Sequence, residues 1–113
     1  MSDQKRLAVI DLETDPFEYG KIPQPFAAGF YSDQTYEQFW GDDCVEQLMY
    51  FLHDLKESHL IYAHNGGKFD FLYMLQYFHQ KINLINGRIV KGNIWRHEMR
   101  DSYAALPISN KTL

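Results

Sequence analysis

Two short apolar runs, Leu7-Ala8-Val9-Ile10 and Leu60-Ile61-Tyr62-Ala63-His64, do most to limit what this chain can fold into. Each is rich in strand formers, and each gives way to polar or turn-forming residues, Asp11 to Asp15-Pro16 after the first and Asn65-Gly66-Gly67 after the second. Proline disfavours regular continuation and glycine accepts positive φ, so both runs read as buried strands that stop at a turn, the first near Glu13.

Between them, a loop with Gly20, Pro23 and Pro25 leads into two aromatic-rich segments, residues 26–31 and 35–40, parted by Ser32-Asp33-Gln34. That pattern predicts a β-hairpin. From Asp43 the period changes: Val45, Leu48, Met49, Leu52 and Leu55 recur at helical spacing, with Asp43 and Glu46 placed like a capping box. A second helix is expected over residues 68–80, with Phe71, Leu72, Leu75 and Phe78 as its apolar stripe. Residues 82–85, 88–91 and 94–99 read as short strands separated by Asn86-Gly87 and Gly92-Asn93, both tight-turn signals, while Leu106-Pro107 to Leu113 carries no evident element. The order β, β-hairpin, α, β, α predicts one α/β domain with a mixed sheet, its helices covering a sheet whose first and fourth strands are fully apolar.

Composition excludes several classes. With 45% hydrophobic and 16% aromatic residues the chain can fill a core. No apolar run approaches the roughly 20 residues that span a bilayer, and the polar residues 1–6 lack the core of a secretory signal, so no membrane partner and a cytoplasmic location are expected. A single cysteine, Cys44, rules out an internal disulfide or a cysteine-based zinc cluster, and it is read as packing. The net charge of −4 divides unevenly: residues 1–80 hold five Lys/Arg against thirteen Asp/Glu, and residues 81–113 hold six against two. A carboxylate-rich metal site beside a basic strip has this distribution, and so does a domain with an uneven surface.

Residues two apart on a strand share a face, so Asp11 and Glu13 would stand side by side at the end of the first strand. Two adjacent carboxylates repel each other, and a hard divalent cation that takes oxygen ligands relieves the repulsion. Acidic residues at strand ends are common, so the pair alone does not make a site. Asp70 follows the second buried strand, where α/β folds tend to build their sites, and it faces the pair if the two strands are neighbours. Taken singly, Asp70 is also an acid suited to a helix N-terminus, Phe69 a core residue, Asn65 a turn former and Lys68 a solvated charge. Gly66-Gly67-Lys68 lacks the spacer and the following Ser/Thr of a phosphate-binding loop.

Together, Asp11-Leu12-Glu13-Thr14 and Ala63-His64-Asn65-Gly66-Gly67-Lys68-Phe69-Asp70 resemble the first and second exonuclease motifs of family B DNA polymerases. The likeness is greatest to the protein-primed branch of phages, adenoviruses and linear plasmids, and Arg100-Asp101-Ser102 with Leu106-Pro107 resembles the segment that follows. The resemblance implies that residues 1–113 form the front part of a 3′→5′ exonuclease domain of ribonuclease-H-like fold, incomplete here. It implies two divalent cations, Mg²⁺ or Mn²⁺, with Asp11 bridging both, Glu13 holding the water-activating one and Asp70 the other. Thr14, Asn65 and Phe69 would grip the 3′ end of single-stranded DNA. His64, Tyr62 and Ser102 are further candidates for that contact, with core packing the competing role for His64 and Tyr62, and with Tyr103 standing where the family has Leu after Ser102.

The family's third motif, Tyr-x-x-x-Asp, and everything that would polymerise are missing, so the chain alone is expected to be inactive or nearly so. The implied partners are DNA, the remainder of a polymerase and, for the intact polymerase, a terminal protein. The competing readings are a stand-alone exonuclease that borrows Asp101 or a carboxylate from a second chain, and a non-catalytic DNA-binding module. Lys81, Arg88, Lys91, Arg96 and Arg100 could neutralise a DNA backbone or form a solvated hairpin face.

Overall fold

The structure, a computed structural model, describes residues 5–16, 20–64, 66 and 70–102. Among these, seven strands form one mixed sheet: β1 (Arg6–Thr14), β2 (Pro25–Ser32), β3 (Tyr36–Trp40), β4 (His59–Ala63), β5 (His79–Ile85), β6 (Arg88–Ile94) and β7 (His97–Asp101), in the order β3-β2-β1-β4-β7-β6-β5. Helix α1 (Cys44–Asp54) and a 3₁₀ segment, Asp70–Tyr77, complete an α/β fold compatible with a fragment of a ribonuclease-H-like exonuclease domain.

The centre is parallel. β4 pairs in parallel with β1 on one side and β7 on the other, and an antiparallel hairpin closes each flank. The β1–β4 pairing runs only from Arg6↔His59 to Val9↔Tyr62, so past Val9 the two strands part. Beyond the split, the Leu12 N–H bonds a side chain, Asp70, in place of β4.

One face of the sheet carries the core. Ala8, Ile10 and Leu12 of β1, Phe30 of β2, Ile61 and Ala63 of β4 and Met99 of β7 are buried with Cys44, Leu48, Met49 and Leu52 of α1. The helix face follows from the apolar spacing, and Phe51 extends it by packing edge-on against Phe30 at 5.0 Å. Behind it, His97 is locked as a neutral ring: its Nε2–H donates to the Leu52 carbonyl at 2.8 Å, and its Nδ1 accepts the His59 N–H at 3.2 Å.

Four expectations need correction. Asp43 does not cap α1 with its side chain; with φ −102° and ψ 21° it is not in the extended conformation a cap needs, and its Oδ1 accepts a hydrogen bond from Gln47 Nε2 at 2.7 Å. The second helix is a 3₁₀ segment interrupted at Met74 (φ −122°, ψ 15°). Its buried residues, Phe71 and Met74, are three apart, as a three-residue turn requires, leaving Leu72 and Leu75 exposed. Gly66 O, which accepts the Phe71 N–H, and Pro23 O, which accepts the Tyr73 hydroxyl, anchor its start. Asn86-Gly87 does turn with positive φ at both residues, but Gly92-Asn93 lies inside β6 and the next turn falls at Trp95-Arg96. Gly92 is small because the Phe78 ring lies over it: an added Cβ would come within 2.5 Å of the ring.

Nor is the first strand apolar on both faces of the sheet. Burial alternates along β1, with Leu7 64% and Val9 47% exposed, and both helical elements pack on the face opposite them. Among the described residues that second face is open, and Asp11 and Glu13 stand on it.

Candidate metal and nucleic-acid site

The alternation of β1 places Asp11 and Glu13 on the open face at the strand's carboxyl end, both exposed. Their side chains are hydrogen-bonded to each other, and partial desolvation together with this neighbour raises the Asp11 pKa above the ordinary carboxylate value. Asp70 arrives from the other side of the split. Its Oδ2 accepts the Leu12 backbone N–H at 3.3 Å, a donor left over because β4 no longer pairs with β1 at that point. Burial pushes the Asp70 pKa up to about 7, with the charges of Asp11, Glu13 and Asp101 adding to the shift and the Leu12 hydrogen bond opposing it. Two sequence motifs far apart in the chain therefore converge on one end of the sheet.

Gly66 helps hold this convergence. A Cβ there would come within 2.7 Å of the Ala63 Cβ and 3.1 Å of the Phe71 ring, so glycine leaves the room that Ala63 and Phe71 take.

The donor set is all carboxylate oxygen, the type that Mg²⁺ and Mn²⁺ take once ionised. Among the described residues, no group of three or more His, Cys, Asp or Glu side chains already stands in ligand geometry. Asp70, held by Leu12, would have to turn toward the pair.

The other candidate residues are scattered more widely. Thr14 ends β1 and is half-buried, Tyr62 is half-buried on the open face beside Val9, His64 is exposed just past β4, and Ser102 follows β7. Asn65, Phe69 and Lys68 lie outside the described residues, as do Leu106-Pro107 and the rest of the chain end. Asp101, the alternative carboxylate, is 1% exposed and bound to Arg88 Nε at 2.6 Å, so recruiting it would break a buried ion pair.

The basic strip is largely committed within the molecule. Lys91 and Arg100 both engage Glu98, at 3.7 and 2.5 Å, Arg88 holds Asp101, and Arg96 donates to the carbonyls of His53 and Leu55. Only the side chain of Lys81 lies outside the description.

Sequence reading missed a trough of about 340 Å³ next to the carboxylates, lined by Asp11, Glu13, Ala27, Gly29, Tyr31 and Trp40 among others. Its signal was present in the small residues at alternate positions of the second strand, opposite the acidic ones of the first.

Over 91% of its length, the chain is 52% identical to a DNA-directed DNA polymerase of Enterobacteria phage PRD1. The matched stretch is 19% of that polymerase, so the chain spans about a fifth of its relative's length. No family model matches the chain. The likeness to this phage polymerase thus covers nearly the whole sequence, the two motifs and the Arg100-Asp101-Ser102 segment included. No helix among the described residues is long and apolar enough to cross a membrane.

Proposed function

We propose that this chain forms part of a DNA-directed DNA polymerase and carries most of the metal site of its 3′→5′ proofreading exonuclease. The substrate is the 3′ end of single-stranded DNA. What supports the reading above all is the approach of Asp70 to Asp11 and Glu13, with its carboxylate on the Leu12 N–H and its pKa raised to about 7 by burial and by the other acids. Crowding of this kind is costly unless it serves binding, and perturbed carboxylates gathered at strand ends are frequent at functional sites.

In this reading Asp11, Glu13 and Asp70 hold two divalent cations, Mg²⁺ or Mn²⁺, which when bound activate a water and stabilise the leaving 3′-oxygen. The chain's own contribution is placement. β1 fixes Asp11 and Glu13 two residues apart on one face, and the break in β1–β4 pairing leaves room for Asp70 to close the third side. Thr14, Asn65 and Phe69 would orient the terminal nucleotides, with Tyr62, His64 and Ser102 as outer contacts. The remainder of the polymerase, and for a protein-primed enzyme a terminal protein, are the expected partners.

Paramagnetic broadening tests the site. Mn²⁺ added to ¹⁵N-labelled chain is expected to erase the amide signals of Leu12, Glu13 and Gly29 first, and Asp11→Ala to abolish that selectivity. In a polymerase that includes this segment, stepwise shortening of 5′-labelled single-stranded DNA is expected to fall at least about a hundredfold with either Asp11→Ala or Asp70→Ala, as losses of charge stabilisation do. Full nuclease activity in both variants would contradict the assignment.

A further inference from the structure

We propose that the trough between β1 and β3 seats the terminal nucleobase of a single DNA strand, stacked on Trp40. The choice of DNA as occupant rests on the exonuclease reading above; the shape of the seat does not.

The register builds the trough. Glu13, Ala27 and Trp40 lie in one row across β1, β2 and β3, and Asp11, Gly29 and Gln38 lie in the next. In the first of these rows the middle strand contributes only the Ala27 methyl group, so the floor is low there between the Glu13 carboxylate and the Trp40 ring, while at the second row the Tyr31 ring covers Gly29. The pairing slips between Glu13 and Thr14, with Thr14 opposite Pro25, and the extra residue, Phe26, lies beside Trp40 at 6.4 Å between ring centroids. Trp40 is thereby braced, yet it remains 61% exposed. At the next row Tyr31 folds back over Gly29, where a Cβ would stand 2.5 Å from its Oη, and it packs against Tyr36 at 4.9 Å. This lays a hydroxyl along the floor beside the Asp11 row.

The chemistry selects the occupant. Two acids on one wall repel a bare phosphate, whereas a flat uncharged ring meets an indole face opposite them. At about 340 Å³ the space is at the lower end of the range for small-ligand seats, roughly 300–1,000 Å³. A base in the trough places its own phosphate at the carboxylate end, where the proposed cations would neutralise it. Stacking of this kind tolerates any base, which suits a site that must accept whichever nucleotide ends the strand.

The chain has two tryptophans, so Trp95→Phe leaves Trp40 as the only indole. In EDTA, titrating this variant with the nucleoside thymidine, which carries no phosphate for the acids to repel, is expected to quench its fluorescence saturably. Because EDTA removes every divalent cation, quenching there reports the base seat apart from the metal reading. Trp40→Ala is expected to weaken oligonucleotide binding, read by anisotropy of a labelled strand, about tenfold or more, and Trp40→Phe to restore most of it. Absence of quenching, or unchanged affinity in a folded Trp40→Ala chain, would overturn the proposal and make the trough a contact for another part of the polymerase.

Discussion

At neutral pH the Asp70 carboxyl stands midway between its protonation states, because burial and the neighbouring acids hold its pKa at about 7. Its folded pKa exceeds the ordinary value of 3.8, so the folded chain binds this proton more tightly than the unfolded one. The contribution of Asp70 to stability is therefore most favourable below pH 3.8 and is lost as pH rises toward about 7. In EDTA, Asp70→Asn is expected to remove that decline and to raise the melting temperature at pH 8, a result that thermal scans at several pH values would check. His97 acts in the opposite sense: burial lowers its pKa below 6.5, so stability is complete above pH 6.5 and falls as pH drops toward the folded pKa. Protonating it would also remove the acceptor for the His59 N–H. Arg88→Met is expected to cost about 3–5 kcal/mol in denaturant unfolding, because Asp101 would keep a buried charge without its guanidinium partner.

The strands were legible in the sequence because their apolar runs and turn residues act locally. β1, β2, β3, β4 and α1 fall where periodicity placed them, and Asp11 and Glu13 share a face for the reason their spacing gave. The elements that differ depend on tertiary contacts. The segment from Asp70 tightens into a 3₁₀ coil because Gly66 O and Pro23 O anchor it, and the β6–β7 turn moves to Trp95 because its ring packs between His53 and Tyr77, at 5.1 and 6.1 Å. Gly92 read as a turn residue, yet its need is the room it leaves for Phe78. Gly92→Ala is expected to destabilise the chain by about 1–3 kcal/mol through overpacking, measured by urea unfolding, whereas Gly20→Ala is set by backbone strain at φ 81° with open space around it. The position of Asp70 between β1 and β4 was foreseen only if those strands were neighbours. The register adds that their pairing stops at Val9↔Tyr62.

For the molecule as a whole, the sheet divides the work between its faces. One face holds the core with α1 and the 3₁₀ segment, and the other presents acids, small residues and aromatics in adjoining rows. The −4 net charge conceals this arrangement, since most basic side chains after residue 81 are spent on Glu98, Asp101 and backbone carbonyls while the acids of β1 stay exposed. A cation that binds only the folded chain stabilises it by mass action, about 2.7 kcal/mol at a hundred times its dissociation constant. Titration calorimetry with Mn²⁺ on the purified chain, beside Asp11→Ala, tests whether these carboxylates bind a cation. Saturable binding in the parent chain that the variant loses is the predicted result; no heat up to millimolar Mn²⁺, or equal binding by both chains, would contradict a metal site built from Asp11, Glu13 and Asp70.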